Sequence, residues 1–189
     1  MTARFVRALV LMVAVLAAQL TAQPARANET IEAQSIRLEP SVSDGWVISA
    51  DFVLPLPGRI EDAVSRGVAL YFVIEFELLR PRWYWWDEKA VQASRSYRLS
   101  YHALTRQYRI SLDGLGWAYP TLEEALEALG RLRGWRVIAP EQVTPGTNYE
   151  AQLRMRLDLS QLPKPFQVTA IANGDWNLQA EWKRFKFNP

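Results

Sequence analysis

Apolar and polar residues alternate with a period of two along much of the chain, the mark of strands that bury one face. Trp46, Ile48, Ala50, Phe52 and Leu54 alternate with Val47, Ser49, Asp51 and Val53. In the run 68–79, Leu70, Phe72, Ile74, Phe76 and Leu78 fill one face, against Ala69, Tyr71, Val73, Glu75 and Glu77. Its first half is apolar on both faces, which predicts a central strand, and the glutamates predict that its second half emerges into water. Val91, Ala93, Arg95, Tyr97, Leu99 and Tyr101 then alternate with Gln92, Ser94, Ser96, Arg98, Ser100 and His102. Tyr108, Ile110 and Leu112 continue the pattern after a turn at 104–106, so 68–112 reads as a three-stranded antiparallel meander. The run 149–160 is the clearest strand with one wet face: Tyr149, Ala151, Leu153, Met155, Leu157 and Leu159 against Glu150, Gln152, Arg154, Arg156, Asp158 and Ser160.

Weaker strands are predicted over 28–39, around Trp135 and Val137, and over 176–182. Phe185 and Phe187 fall out of phase with Trp176, Leu178, Ala180 and Trp182, which predicts a bulge near Lys183-Arg184. Two stretches change period. Ile60, Ala63 and Val64 give a short helix over 58–66, with Gly67 placed to end it. Thr121-Leu122-Glu123-Glu124 has capping-box spacing, and Leu122, Ala125, Leu126 and Leu129 form a helical stripe ending near Gly130. Asp113-Gly114-Leu115-Gly116 reads as a loop that breaks the sheet. Pro163-Lys164-Pro165 predicts an extended corner, because a residue before proline disfavours the helical region. The run 166–172 fits either a short helix or a strand. About seven short strands with turn signals between them predict a mainly β fold: an antiparallel β-sandwich, immunoglobulin-like, with two short helices in connections. No repeat or linker divides residues 28–189, which read as a single domain.

The N-terminus adds a location. Arg4 and Arg7 precede a charge-free apolar run at 8–22, and Ala25-Arg26-Ala27 supplies a small-x-small cleavage pattern, so residues 1–27 read as a secretory signal peptide. The run is shorter than the ~20 residues of a membrane span; an uncleaved anchor is the alternative. Cleavage changes the charge. The chain has 22 basic and 20 acidic residues. Arg4, Arg7 and Arg26 leave with the signal and no acid does, so 19 basic face 20 acidic residues, a net −1. Nucleic-acid binding loses its electrostatic support. With no cysteine, thiolate metal sites and thiol chemistry are excluded, and a periplasm suits the domain better than a eukaryotic extracellular space.

Catalysis finds little footing, and no catalytic, metal-ligating or cofactor-binding residue is assigned. His102 is the only histidine and lies on a polar strand face without a second imidazole. Neighbours such as Asp87-Glu88 point to opposite faces of a strand. Glu61-Asp62 and Glu123-Glu124 meet the positive ends of their helices. Glu75 and Glu77 share a face and need cations, for which Arg95, Arg98 or Arg109 are candidates across the hairpin.

The most unusual stretch is 80–88, with four aromatic rings, two arginines and two carboxylates in nine positions. Arg80, Arg82, Trp83, Trp85, Trp86 and Asp87 are the candidate binding residues. Rings flanked by arginine and carboxylate serve protein hot spots, cation–π cages and sugar platforms alike. The other reading is a cap on the sandwich core, with the arginines stacked on the rings.

Arg82-Trp83-Tyr84-Trp85-Trp86-Asp87-Glu88 resembles an uncharacterised proteobacterial exported family, domain of unknown function 4390. So do Tyr97-Arg98-Leu99-Ser100-Tyr101, Tyr108-Arg109-Ile110, Leu162-Pro163-Lys164-Pro165-Phe166-Gln167-Val168 and the closing segment 176–182. The resemblance brings no catalytic residues. By gene neighbourhood it implies a periplasmic accessory of a two-component system, beside a membrane sensor kinase of the nitrogen-regulation type. The expected function is therefore an exported, non-catalytic binding or interaction module, with a protein partner in the periplasm or at the inner membrane. The alternative is a small-molecule or glycan binder that uses the tryptophans as a stacking platform.

Overall fold

The computed structural model describes residues 30–42, 44–81, 88–172 and 174–189. The expected signal peptide and the segment from Arg82 to Asp87 lie outside the described residues. Among the described residues, nine strands form two antiparallel sheets. The smaller sheet holds β1 (Glu32–Pro40), β2 (Trp46–Val53) and β7 (Arg131–Ile138), in the order β1-β2-β7. The larger holds β3 (Leu70–Arg80), β4 (Glu88–His102), β5 (Gln107–Leu112), β6 (Leu115–Tyr119), β8 (Tyr149–Leu157) and β9 (Lys183–Phe187). Its order is β6-β5-β4-β3-β8-β9, so the predicted meander is present and one strand longer.

The two sheets face each other across one hydrophobic core. Ile48, Ala50 and Phe52 of β2 and Leu132, Trp135 and Val137 of β7 share it with Leu70, Phe72, Ile74, Phe76 and Leu78 of β3 and with Leu153, Met155 and Leu157 of β8. Arg95 of β4 reaches over the Trp135 ring at 5.1 Å, and Trp46 of β2 meets Phe187 of β9 edge-on at 5.5 Å.

The helices form where the pattern places them. α1 (Gly58–Ser65) buries Ile60, Ala63 and Val64. It ends at Gly67, with φ +92°, where Val68 N donates to Ala63 O and Gly67 N to Val64 O, a Schellman termination. α2 (Leu122–Gly130) is capped by Thr121, whose hydroxyl accepts from Glu124 N at 3.2 Å.

Five expectations are corrected. Asp113-Gly114 does not break the sheet. Both residues have positive φ, 49° and 85°, the conformation of a type I′ turn, and they join β5 to β6 as a two-residue hairpin. β7 begins earlier than the pattern suggests, because two of its residues, Arg133 and Gly134, oppose the single residue Ser49 of β2 between the pairs Leu132–Ala50 and Trp135–Ile48. The bulge at Arg133-Gly134, with Gly134 at φ +57°, turns both apolar residues inward and hides the period of two. Pro163-Lys164-Pro165 opens a third helix, α3 (Lys164–Ala172), rather than an extended corner. Its first amide bonds run from Phe166 and Gln167 to Pro163 O, and proline is tolerated in a first turn. β8 stops at Leu157 and gives way to a 3-10 turn at Leu159–Gln161. Residues 176–182 begin in a 3-10 turn and then run beside β8, with Leu157 N donating to Leu178 O and Ala180 N to Met155 O. The pairing of Gln179 with Arg156 and of Lys183 with Leu153 differs by one residue in register. The extra residue therefore lies just before the expected position, and it returns Phe185 and Phe187 to the core.

Candidate functional site

Of the candidate binding residues, the structure describes Arg80; Arg82, Trp83, Trp85, Trp86 and Asp87 lie outside the described residues. Arg80 ends β3 and is already engaged. Its Nη2 donates to Tyr149 Oη at 3.2 Å, and its guanidinium lies 5.6 Å from the centre of that ring. Glu88 stands 4.0 Å away. Tyr149 Oη also accepts from Thr144 N at 3.1 Å. Burial pushes the Tyr149 phenol up, but Thr144 and Arg80 together outweigh it, and the net shift is downward. Tyr149, Phe187 and Trp46 then continue as a chain of ring contacts into the core. The described part of this stretch is thus anchored to the scaffold.

The outer face of β3 holds a second polar cluster. Glu77 is only 7% exposed, so the second half of β3 does not emerge into water. β8 flanks it on the side away from β4, which makes β3 central along its whole length. Glu77 Oε1 accepts from Lys89 Nζ at 2.5 Å and Oε2 from Gln152 Nε2 at 2.6 Å. Glu75 accepts from Arg154 Nε at 2.6 Å and Arg156 Nε at 3.0 Å. The expected partners do not serve: Arg95 faces the opposite side, over Trp135, Arg98 pairs with Tyr71 and Arg109 lies on β5 opposite Ser100. Burial is the largest single influence on Glu75 and pushes its carboxyl up, but Arg156 and Arg154 together hold it below the ordinary value. Arg154 also stacks over Trp182 at 4.3 Å. Both carboxylates are matched by cations or an amide donor, while Gln152 Oε1 is buried with no hydrogen-bond partner, so the cluster covers the sheet with one acceptor left over. A signal for it lies in the sequence: Gln152, Arg154 and Arg156 repeat at the same spacing of two as the glutamates.

The third feature has no contiguous signature in the sequence. The end of β2, the loop after it and α2 enclose a groove of about 670 Å³. Phe52, Val53, Leu54, Pro55, Leu56, Leu122 and Leu126 form its apolar surface, and Glu61, Glu123 and Glu127 its polar part. Val53 is an exposed apolar residue here, while Glu127 is paired with Arg131. Two segments about seventy residues apart make the groove, so only the exposed side of the α2 stripe, at Leu122 and Leu126, hinted at it.

His102 Nδ1 lies 3.2 Å from Thr105 Oγ1 at an exposed turn. Among the described residues no group of three or more His, Asp or Glu could hold a metal ion, and no helix is long and apolar enough to cross a membrane.

Comparison with known proteins gives one family. The model described as Domain of unknown function (DUF4390) matches residues 28–186. No curated protein and no solved structure matches the chain.

Proposed function

The chain belongs to the DUF4390 family, and from that premise we propose that it is an exported, non-catalytic interaction module. Its groove between α1, the end of β2 and α2 takes an apolar, positively charged segment of another protein. The groove is the observation that carries this reading. Seven apolar residues line it, and every charged residue that lines it is a glutamate. Apolar area supplies the binding energy and the carboxylates select the sign of the partner. Export to the periplasm is supported by the N-terminal pattern of Arg4, Arg7, the apolar run and Ala25-Arg26-Ala27. The membrane sensor kinase implied by the family resemblance is the partner this proposal favours. An immunoglobulin-like arrangement has Greek-key crossings, whereas four consecutive strands pair here in chain order; the interaction reading does not depend on it.

A synthetic leucine–lysine helical peptide with one apolar face, and its leucine–glutamate counterpart, test the groove by fluorescence polarisation. The lysine peptide should bind the full chain, and the double variant Glu61→Lys/Glu123→Lys should bind it at least ~10-fold more weakly, since one lost charge contact approaches a tenfold change. Equal binding of both peptides, or unchanged binding by the variant, would refute the groove.

A further inference from the structure

Each sheet has two edge strands, and an edge with unpaired N–H and C=O groups invites another strand unless charge or proline guards it. Three of the four edges are guarded. β1 carries Glu32, Arg37, Glu39 and Pro40; β7 carries Arg131, Arg133 and Arg136; β9 carries Lys183, Arg184 and Lys186. The fourth, β6, reads Leu115-Gly116-Trp117-Ala118-Tyr119 and has neither charge nor proline. Leu115 is 65% exposed and Trp117 46%. The two-residue turn before β6 closes on a hydrogen-bonded pair, Leu112 with Leu115. Alternation then directs the N–H and C=O of Gly116 and Ala118 away from β5. Among the described residues, no backbone hydrogen bond outside the β5 ladder reaches either one.

The segment is also palindromic in size: large, small, large, small, large. We propose that β6 pairs with β6 of a second copy of this chain, antiparallel about a two-fold axis at Trp117. Leu115 then lies opposite the partner's Tyr119, Gly116 opposite Ala118, and Trp117 opposite itself. Large side chains meet on one face and small ones on the other. Gly116 and Ala118 exchange their free N–H and C=O groups with the partner's Ala118 and Gly116, which makes four backbone hydrogen bonds. No like charges meet at any position, so the register is self-complementary, as a two-fold contact requires. The two six-stranded sheets join into one.

The absence of cysteine makes the geometry directly readable. Trp117 on the axis is a non-hydrogen-bonded pair, with Cα atoms ~4.5 Å apart, inside the ~4.4–6.8 Å range of a disulfide. In the full chain, purified as its host processes it, Trp117→Cys should oxidise to a covalent dimer. Ala118→Cys, one position off the axis, should not. In sedimentation across ~1–100 µM, unmodified chain should dimerise. Ala118→Pro removes only an outward N–H and is tolerated at an edge. It should raise the dissociation constant at least ~10-fold, since two of the four hydrogen bonds are lost, one from each copy, with an unchanged melting temperature at concentrations where both chains are monomeric. A monomer at every concentration, equal cross-linking at 117 and 118, or an Ala118→Pro variant with an unchanged dissociation constant would each overturn the proposal. So would a monomer that carries an extended segment of a different protein on β6.

Discussion

Glu75 accepts a 2.6 Å hydrogen bond from Arg154 Nε, and the two residues are direct partners in the β3–β8 ladder. Glu77 and Gln152 repeat the relationship two residues on. Register between these non-sequential strands is thus specified on both faces: by Phe72, Ile74 and Phe76 against Leu157, Met155 and Leu153 inside, and by matched polar pairs outside. A slip of one residue would turn the glutamates into the core.

The same pairs give the fold an acid-side weakness. The Glu75 carboxyl is held below its ordinary value of 4.5, the two arginines outweighing burial. The Asp51 carboxyl is held below 3.8 by Ser35 and Arg133. For a depressed folded-state pKa the unfolded chain binds the proton first. The stabilisation is therefore fully present above the ordinary carboxylate range and is lost as pH falls through it to the depressed value. Urea melts between pH 3 and pH 7 should show stability dropping on the acid side, with a shallower drop in Glu75→Gln. An unchanged acid slope in that variant would mean the pair does not couple to folding.

Gly130 and Gly58 should respond oppositely to alanine. A Cβ on Gly130 would sit 2.2 Å from Phe52 O, a backbone atom that cannot swing away, whereas one on Gly58 meets nothing within 4 Å. Gly130→Ala should cost ~1–3 kcal/mol through forced separation of α2 from β2. Gly58→Ala should be neutral or stabilise by up to ~1 kcal/mol, by restricting the unfolded chain. Thermal melts of the two variants check both.

Phe72 is fully buried at the centre of the larger sheet. Phe72→Ala should lose ~3–5 kcal/mol, the transfer term plus the cavity left behind. Denaturant melts read this as a shift in midpoint at nearly constant slope.

What the sequence disclosed follows from the reach of its patterns. β3, β4, β5 and β8 alternate strictly, so their buried faces could be read residue by residue, and Thr121 announced α2. β6 was hidden because Gly114 and Gly116 flank Leu115, and glycines read as a break until the Asp-Gly pair is recognised as a hairpin turn. α3 was hidden by two prolines that act at its start rather than against it. The cations for Glu75 come from β8 rather than from the hairpin strand, because periodicity shows which face a residue occupies but not which distant strand lies alongside. The groove needs residues 52–61 and 122–127 together, and no local pattern joins them. Of the tryptophan-rich candidates the described residues reach only Arg80.

Arg80 therefore decides what the described end of that stretch does. Its guanidinium and Thr144 N both donate to Tyr149 Oη. If this is an anchor, Tyr149→Phe should cost ~1–2 kcal/mol, because two donors lose their acceptor. Arg80→Ala should lower the melting temperature as well, and the double variant should lose less than the two changes added, since they remove one shared interaction. Ionisation gives an independent reading. Arg80 and Thr144 hold the Tyr149 phenol below its ordinary 10.0 against the opposing effect of burial. Spectrophotometric titration should show one early tyrosine that moves to higher pH in Arg80→Ala and is absent from Tyr149→Phe. Additive stability losses with no early tyrosine would free Arg80 from the scaffold and return it to the candidate binding surface.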